Sequence, residues 1–368
     1  MSKTLAELLD LYNHNAPLEE AYTIPAPWYL DARIEMAERE EVFGRNWIAV
    51  GRLDQVAVAG QFFTVEIAGE PLVVVRGADG EIRGFYNVCR HHAAAVANVP
   101  CGTVQHLRCP YHGWTYGLDG ALKGAPEFAG VCNFDRAANG LVLVRVATWE
   151  QFVFVTLDAD APDLTAFLGD LQDRIAPLAI GNLQFFVRKT YTLACNWKVY
   201  VDNYLDGGYH VPHLHKGLNS VLDYKEYTIE NSVRYSLQSS PMVSSQEDEL
   251  FAATRTGDRA YYYWLYPNFM INIYQGVMDT NLVLPLGTDR CMVQFDFYFA
   301  DVSEAARKAN AESVAVSDRI QDEDVDICES VQRGLRSRAY GAGRLSVRRE
   351  GGEHLFHRLL AADLRKTV

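Results

Sequence analysis

Two constellations in the chain carry residue types able to bind metal. The first is split between "CRHH" at 89–92 and "CPYH" at 109–112, which sets Cys89 two residues before His91 and Cys109 three residues before His112. Thiolates and imidazoles at such spacing hold zinc or an iron–sulfur cluster. Zinc motifs usually pair cysteine with cysteine and histidine with histidine, whereas each half here contributes one of each. His92 and Cys101 share the ligand residue types. For Cys101 the simpler reading is a thiol outside any site.

The second constellation is "NYLDGGYHVPHLH" at 203–215, which holds His210, His213 and His215 with Asp206 close by. Two histidines and a distant carboxylate make the facial triad of non-haem Fe(II) oxygenases, which leaves positions on the metal open. On a helix His210 and His213 would share a face, but Pro212 opposes a regular helix there. Candidate carboxylates include those of a downstream acidic run, "RIQDEDVDICESVQ" at 319–332, which offers Asp322, Glu323, Asp324 and Asp326. Such a run is otherwise a solvated acidic helix face. Asp206 stands four residues before His210 and reaches its ring if that segment is helical.

These residues need elements to position them. Residues 1–45 read as an extended, proline-punctuated lead-in and then a helix, with Ile34, Ala37, Val42 and Phe43 near a 3.6-residue period. Residues 46–157 are short β-like runs between glycines, and Asp79-Gly80 and Asp119-Gly120 mark hairpin turns. A helical segment "APDLTAFLGDLQDRIAPL" follows, then a strand over 183–194 and a helical stretch from 195 that ends near Pro212. In the next β-rich block "YYYWLYPNFMINIY" is broken by Pro267. "CMVQFDFYFA" alternates, with Val293, Phe295, Phe297 and Phe299 on one face and Gln294, Asp296 and Tyr298 on the other. A long helical pattern beginning "DVSEAARK" carries the acidic run. The expected class is α+β. Residues 1–45 pack with the last domain, 46–157 form a small all-β domain, and 158–368 form a larger domain with an antiparallel sheet flanked by helices.

The order C-x-H…C-x-x-H resembles the Rieske [2Fe–2S] motif, and "GWTY" at 113–116 matches it too. With the N-x6-H-x4-H pattern of "NYLDGGYHVPHLH", the chain resembles the α subunit of a Rieske non-haem iron oxygenase over nearly its whole length. The resemblance implies that Cys89 and Cys109 hold one iron of the cluster and His91 and His112 the other. It implies that His210 and His215 bind a mononuclear Fe(II), leaving His213 as a lining residue and His92 as a supporting one. The family's E-D-x4-E pattern matches Glu323-Asp324 and Glu329, so Asp324 is the expected third ligand. Asn203 is expected to line the route to iron. Many members carry an Asp three residues before the first histidine ligand, where it bridges to a cluster histidine of the neighbouring subunit. Here that position is Gly207, and Asp206 is the candidate substitute.

Within the family, "CNWKVYVDNYLDGGYHVPHLHKGL", "YPNFMINIY" followed by "MDTNLVLP", and "FHRLL" resemble the choline monooxygenase-like group. The implied function is the oxygenase component of a multicomponent system that hydroxylates or oxidatively N-demethylates a small quaternary ammonium compound with O2. The aromatics of "YYYWLYPNF" at 261–269 suit such a cation, although at least half of them are expected in the core. An aromatic-ring or O-demethylating oxygenase is the main alternative, and an electron-transfer protein without oxygenase activity is the second. The family is usually trimeric, so a cyclic homotrimer is expected.

Composition narrows the partners. The 368 residues are 49% apolar with a formal net charge of −13, which argues against nucleic acid as a partner. Seven scattered cysteines imply no disulfide framework and suit a reducing compartment. No apolar run approaches the ~18–20 residues of a membrane span, and "MSKTLAELLDLYNH" carries no signal core; the expected location is cytoplasmic. No G-x-G-x-x-G follows a strand, so NAD(P)H would act only through a separate reductase or ferredoxin.

Overall fold

The computed structural model describes residues 3–243 and 253–368. They form two compact units, Arg39–Phe167 and Met1–Glu38 with Leu168–Val368. The chain is α+β.

The Arg39–Phe167 unit is built on an antiparallel sheet of β1 (Ile48–Arg52), β2 (Gln61–Ile67), β3 (Glu70–Arg76), β4 (Ile82–Tyr86), β5 (Cys101–Thr103), β9 (Leu143–Trp149) and β10 (Phe152–Thr156), in the order β1-β10-β9-β4-β3-β2-β5. A smaller sheet joins β6 (Leu107–Arg108), β7 (Thr115–Tyr116) and β8 (Leu122–Gly124). β-Branched runs drive the strands: Val73, Val74 and Val75 are all fully buried. Both sequence-marked turns form. Gly80 and Gly120 take positive φ, and the loops close through Gly77 N–H to Glu81 O and Gly117 N–H to Ala121 O.

In the other unit β11 (Gln184–Leu193), β12 (Thr228–Asn231), β13 (Tyr235–Pro241), β14 (Arg259–Leu265), β15 (Phe269–Tyr274), β16 (Val277–Pro285) and β17 (Cys291–Phe299) pair antiparallel in the order β11-β17-β16-β15-β14-β13-β12. Pro267 falls in the β14–β15 turn, where a missing N–H breaks no ladder. The alternation in β17 holds only at its start. Asp296 and Tyr298 are buried as well as their apolar neighbours, because Arg188 of β11 reaches Asp296 with two 2.6 Å hydrogen bonds.

Helices cover this sheet. Trp197–Leu205 starts at Asn196, whose side chain accepts from Lys198 N–H. The long helix, Arg307–Leu335, runs alongside it. Gln321 accepts from Tyr200 OH, Asp324 from Asn203 Nδ2, and Gln332 from Asn196 N–H, so the two helices are held in register over several turns. The last helix, Gly351–Leu364, packs Phe356 against Trp197 and Trp264. Two expectations are corrected here. The long helix begins at Arg307, six residues inside the pattern that suggested it. The lead-in is not wholly extended: Leu5–Leu9 and Ala26–Leu30 are helical, ahead of the expected helix, which forms at Ala32–Ala37. The first of these is closed by a reciprocal cap in which Thr4 Oγ1 accepts from Glu7 N–H and Glu7 Oε2 accepts from Thr4 N–H.

Among the described residues, no helix is long and apolar enough to cross a membrane.

Candidate metal centres

Two loops of matching form present the first constellation. One follows β4 and carries Cys89 and His91; the other lies between β6 and β7 and carries Cys109 and His112. In each, the backbone N–H four residues after the cysteine returns to the cysteine carbonyl, from Ala93 at 2.9 Å and from Gly113 at 3.1 Å. Both of those closing residues take positive φ. Cys89 and Cys109 are buried with free thiols, while His112 and His92 are exposed at the loop tips. The His91 and His112 rings lie 4.7 Å apart. His91 stacks flat on Trp114 at 4.8 Å, and its Nδ1 is buried without a hydrogen-bond partner. An orphaned buried acceptor next to two buried thiols is costly unless an ion or cluster takes it up, so the donor set fits the expected group. Burial, with His92 and His112 beside it, lowers the His91 pKa; this favours the neutral imidazole that binds metal.

Tyr116 and Asn87 support these loops, and neither was predicted from the sequence. Tyr116 OH meets Cys89 Sγ at 3.3 Å and accepts from Arg90 N–H. Buried Asn87 accepts from Val96 and Ala97 N–H and donates to Ala97 O. Tyr116 belongs to the "GWTY" stretch, a weak signal; Asn87 carried none.

In the other unit, His210, His215 and Asp324 each turn one ligand atom to within 4.8 Å of the others. Nδ1 of both histidines is already committed. His210 Nδ1 donates to Asp206 Oδ2 at 2.6 Å and His215 Nδ1 to Glu323 Oε2 at 2.6 Å. That leaves the two Nε2 atoms to face Asp324, with His215 Nε2 3.1 Å from Oδ1. A carboxylate on the far nitrogen fixes the tautomer and raises the basicity of a ligand histidine. Burial lowers the pKa of His215, but Asp324 and Glu323 outweigh it and raise the net value.

Asp206 reaches His210 by a turn rather than a helix. The Trp197–Leu205 helix stops at Asp206, and Gly207 and Gly208 follow with φ of +70° and +67°. The turn folds Asp206 back onto the N–H groups of Tyr209 and His210 as well as the ring. Gly207 admits no side chain, since a Cβ there would lie 2.0 Å from the Arg349 carbonyl oxygen. Asn203 donates to Asp324 Oδ1 at 2.8 Å and lines the cavity. His213 is exposed, which corrects the expectation of a lining residue: Pro212 starts the short Val211–Leu214 helix and turns it outward. Asp322 and Asp326 are exposed. Glu323 was one of four acidic candidates, and its contact with His215 was not foreseen.

The triad opens on a cavity of about 110 Å³. Tyr200, Tyr204, Tyr227, Tyr262, Tyr274 and Phe295 supply its aromatic wall. From "YYYWLYPNF" only Tyr262 lines it; the strands turn Tyr263, Trp264 and Tyr266 into the core. Asp279 of β16 is buried in the same wall, held by Asn272 Nδ2 at 2.7 Å, and burial raises its pKa.

A second convergent group, Asp202, Glu353 and His357, is structural in its contacts: Tyr29 OH donates to Asp202 Oδ2 and His357 Nε2 lies 3.0 Å from Oδ1, tying the lead-in and last helix to the Trp197–Leu205 helix.

Residues 46–135 match the family model for the Rieske [2Fe-2S] domain, and residues 180–365 match that for the ring hydroxylating alpha subunit (catalytic domain). The chain is 42% identical to a chloroplastic choline monooxygenase of Arabidopsis thaliana, over 98% of this chain and 87% of that one. It belongs to the Rieske oxygenase α-subunit family. It is 32% identical to the carnitine monooxygenase oxygenase subunit of Escherichia coli (strain K12), over 95% of this chain and 96% of that one. The fold superposes on the quaternary ammonium Rieske monooxygenase CntA with a TM-score of 0.85 at 28% identity, covering 94% and 96% of the two chains. As a Rieske oxygenase α subunit the chain is an oxidoreductase whose cofactors are a Rieske [2Fe–2S] cluster and a mononuclear iron, with O2 as co-substrate.

Proposed function

We propose that the chain is the oxygenase component of a Rieske monooxygenase that hydroxylates or oxidatively N-demethylates a small quaternary ammonium compound. Electrons come from a separate reductase or ferredoxin. The observation that carries the substrate class is Asp279, a carboxylate buried among tyrosine ring faces. A trimethylammonium group offers no hydrogen-bond donor, so its recognition rests on ring faces and a counter-charge. A neutral aromatic substrate would bring this carboxylate no counter-charge beyond the longer-range influence of Arg255. The relatives named for choline and carnitine, and CntA structures with L-carnitine and γ-butyrobetaine, support the same class.

Cys89, His91, Cys109 and His112 would hold the cluster, and His210, His215 and Asp324 the iron. When bound, the cluster relays single electrons and the iron activates O2 at its open positions. Asp206 and Glu323 hold the two histidines with Nε2 inward. Asn203 fixes the Asp324 carboxylate by donating to Oδ1. Tyr204, Tyr227 and Tyr262 remain protonated because burial raises their pKa values, so they present neutral ring faces to the cation.

Asp206 also stands next to the position from which other members reach a neighbouring subunit's cluster. The proposal therefore includes a cyclic homotrimer with Asp206 at that junction; inter-subunit electron transfer has been inferred from the structure of CntA. Seven scattered cysteines, two of them assigned to the cluster, suit a reducing compartment such as the cytoplasm.

Metal analysis and turnover test this reading. Three iron per chain with two labile sulfides are expected, and reductase-driven O2 uptake should couple to product with choline, betaines or carnitine and not with benzoates. His215→Ala should keep the visible cluster spectrum and abolish product. Two iron per chain would indicate an electron carrier, and coupling only with an aromatic would refute the substrate class.

A further inference from the structure

The cavity contains a charge that binding a simple cation leaves unused. Arg255 is 3% exposed and lines the cavity, with its guanidinium carbon 4.9 Å above the Tyr274 ring. Among the described residues its terminal nitrogens meet only neutral oxygens: Nη1 donates to Ser313 Oγ at 2.5 Å and Thr254 O at 3.3 Å, and Nη2 to Ser317 Oγ at 2.5 Å and Ser313 O at 3.4 Å. Among the described residues the buried Nε–H has no partner. Among the described residues no carboxylate forms an ion pair with it; Asp279 interacts with it only at longer range.

A buried guanidinium without a counter-charge is expensive, and an anion delivered by a ligand removes that cost. The planar donor array of arginine suits a carboxylate. The long helix shows where that anion would lie. Ser313, Ser317 and Asp324 fall on one helix face, at spacings of four and seven residues. At about 1.5 Å per residue, Ser317 and Asp324 are roughly 10 Å apart along the axis. Arg255 is anchored at the Ser313–Ser317 end, away from the metal-binding end.

We infer that the substrate is a zwitterion, with its quaternary ammonium group held by the tyrosine faces and Asp279 and a carboxylate at its other end accepting from Arg255 Nε–H. This rests on the quaternary ammonium reading and narrows it: choline, which has a hydroxyl where the carboxylate would be, becomes a poor ligand. Arg255 is a specificity residue in this scheme and takes no part in the chemistry at iron.

The test crosses a charge deletion on the ligand with one on the protein. Iron-loaded full-length protein, wild type and Arg255→Gln, is titrated anaerobically by calorimetry with γ-butyrobetaine, its methyl ester and choline. O2 uptake coupled to product is measured in parallel. Wild type should bind the acid at least about thirty-fold more tightly than the ester or choline, the lower end of what removing one partner of a buried charge pair costs. Arg255→Gln should bring the acid-to-ester ratio close to one, and Arg255→Lys should restore part of it. An ester or choline bound as tightly as the acid by wild type would overturn the inference, as would equal weakening of acid and ester in Arg255→Gln. If Arg255→Gln does not fold, the wild-type ratio decides alone. If none of the three ligands binds or couples O2 uptake, the quaternary ammonium reading itself fails, which is a different result from choline binding well.

Discussion

Replacing Asp206 probes how the iron site is held. Its carboxylate accepts three hydrogen bonds: from His210 Nδ1 at 2.6 Å, His210 N–H at 3.0 Å and Tyr209 N–H at 3.1 Å. Asp206→Ala removes all three and frees the His210 ring to rotate or to take the other tautomer. Asp206→Asn keeps one acceptor oxygen but turns an NH2 group toward N–H donors, so one contact becomes repulsive. Loss of a carboxylate supporting a ligand histidine typically costs 10–100-fold in metal affinity or activity, or about 1.4–2.8 kcal/mol. The expected order is a tenfold weaker ferrous iron Kd for Asn and about a hundredfold for Ala. Anaerobic Fe(II) titration against a chelator measures this, with the cluster spectrum as an internal control. If Asp206 also lies on the electron route, turnover at saturating iron will fall in both variants. Wild-type Kd and wild-type turnover in both would show that Asp206 is only a helix end-cap and would refute the reasoning.

Three further outcomes follow from the same structure. Gly207→Ala should cost about 2 kcal/mol or more in denaturant unfolding, from a left-handed backbone and a Cβ 2.0 Å from Arg349 O; an unchanged midpoint would show that the turn relaxes freely. Glu38→Ala should cost roughly 3–5 kcal/mol, because buried Lys198, now 2.5 Å from Glu38, loses its counter-charge and Trp197 Nε1 loses its acceptor; a loss below 1 kcal/mol would mean that water reaches the site. The third concerns pH. His215 has a raised folded-state pKa, so in iron-free protein its protonated form adds stability below the ordinary histidine value of about 6.5, and that stability is lost as pH rises through the folded value. Iron competes with that proton for Nε2. The melting-temperature gap between iron-loaded and iron-free protein should therefore shrink from pH 8 to pH 6, and a constant gap in scanning fluorimetry would contradict the coupling.

The parts of the site legible in the sequence were those with local spacing. Cys89, His91, Cys109 and His112 sit in two short loops, so their order along the chain already reflects their geometry; spacing marked the 203–215 stretch too, but the resemblance chose His215 over His213. Asp324 was one of four acidic residues until family resemblance singled it out. Residues that depend on tertiary register were not legible. Glu323 is useful only because the long helix presents it to His215, more than a hundred positions earlier. Asp279 and Arg255 carried no signal of their own, because what matters is the cavity face each one meets. Prolines suggested an extended lead-in, whereas the Thr4-x-x-Glu7 spacing marks the cap of its first helix.

The long helix also bears on how such an enzyme can change. Ser313, Ser317, Gln321 and Asp324 are fixed to one another by helical geometry alone. Inserting or deleting one residue between Ser317 and Asp324 would swing one group about 100° away from the other. Substitutions at 313 and 317 leave the phase at 324 untouched. New ligand preferences can therefore arise in this helix by point replacement, whereas changes in its length would be selected against wherever iron must be kept.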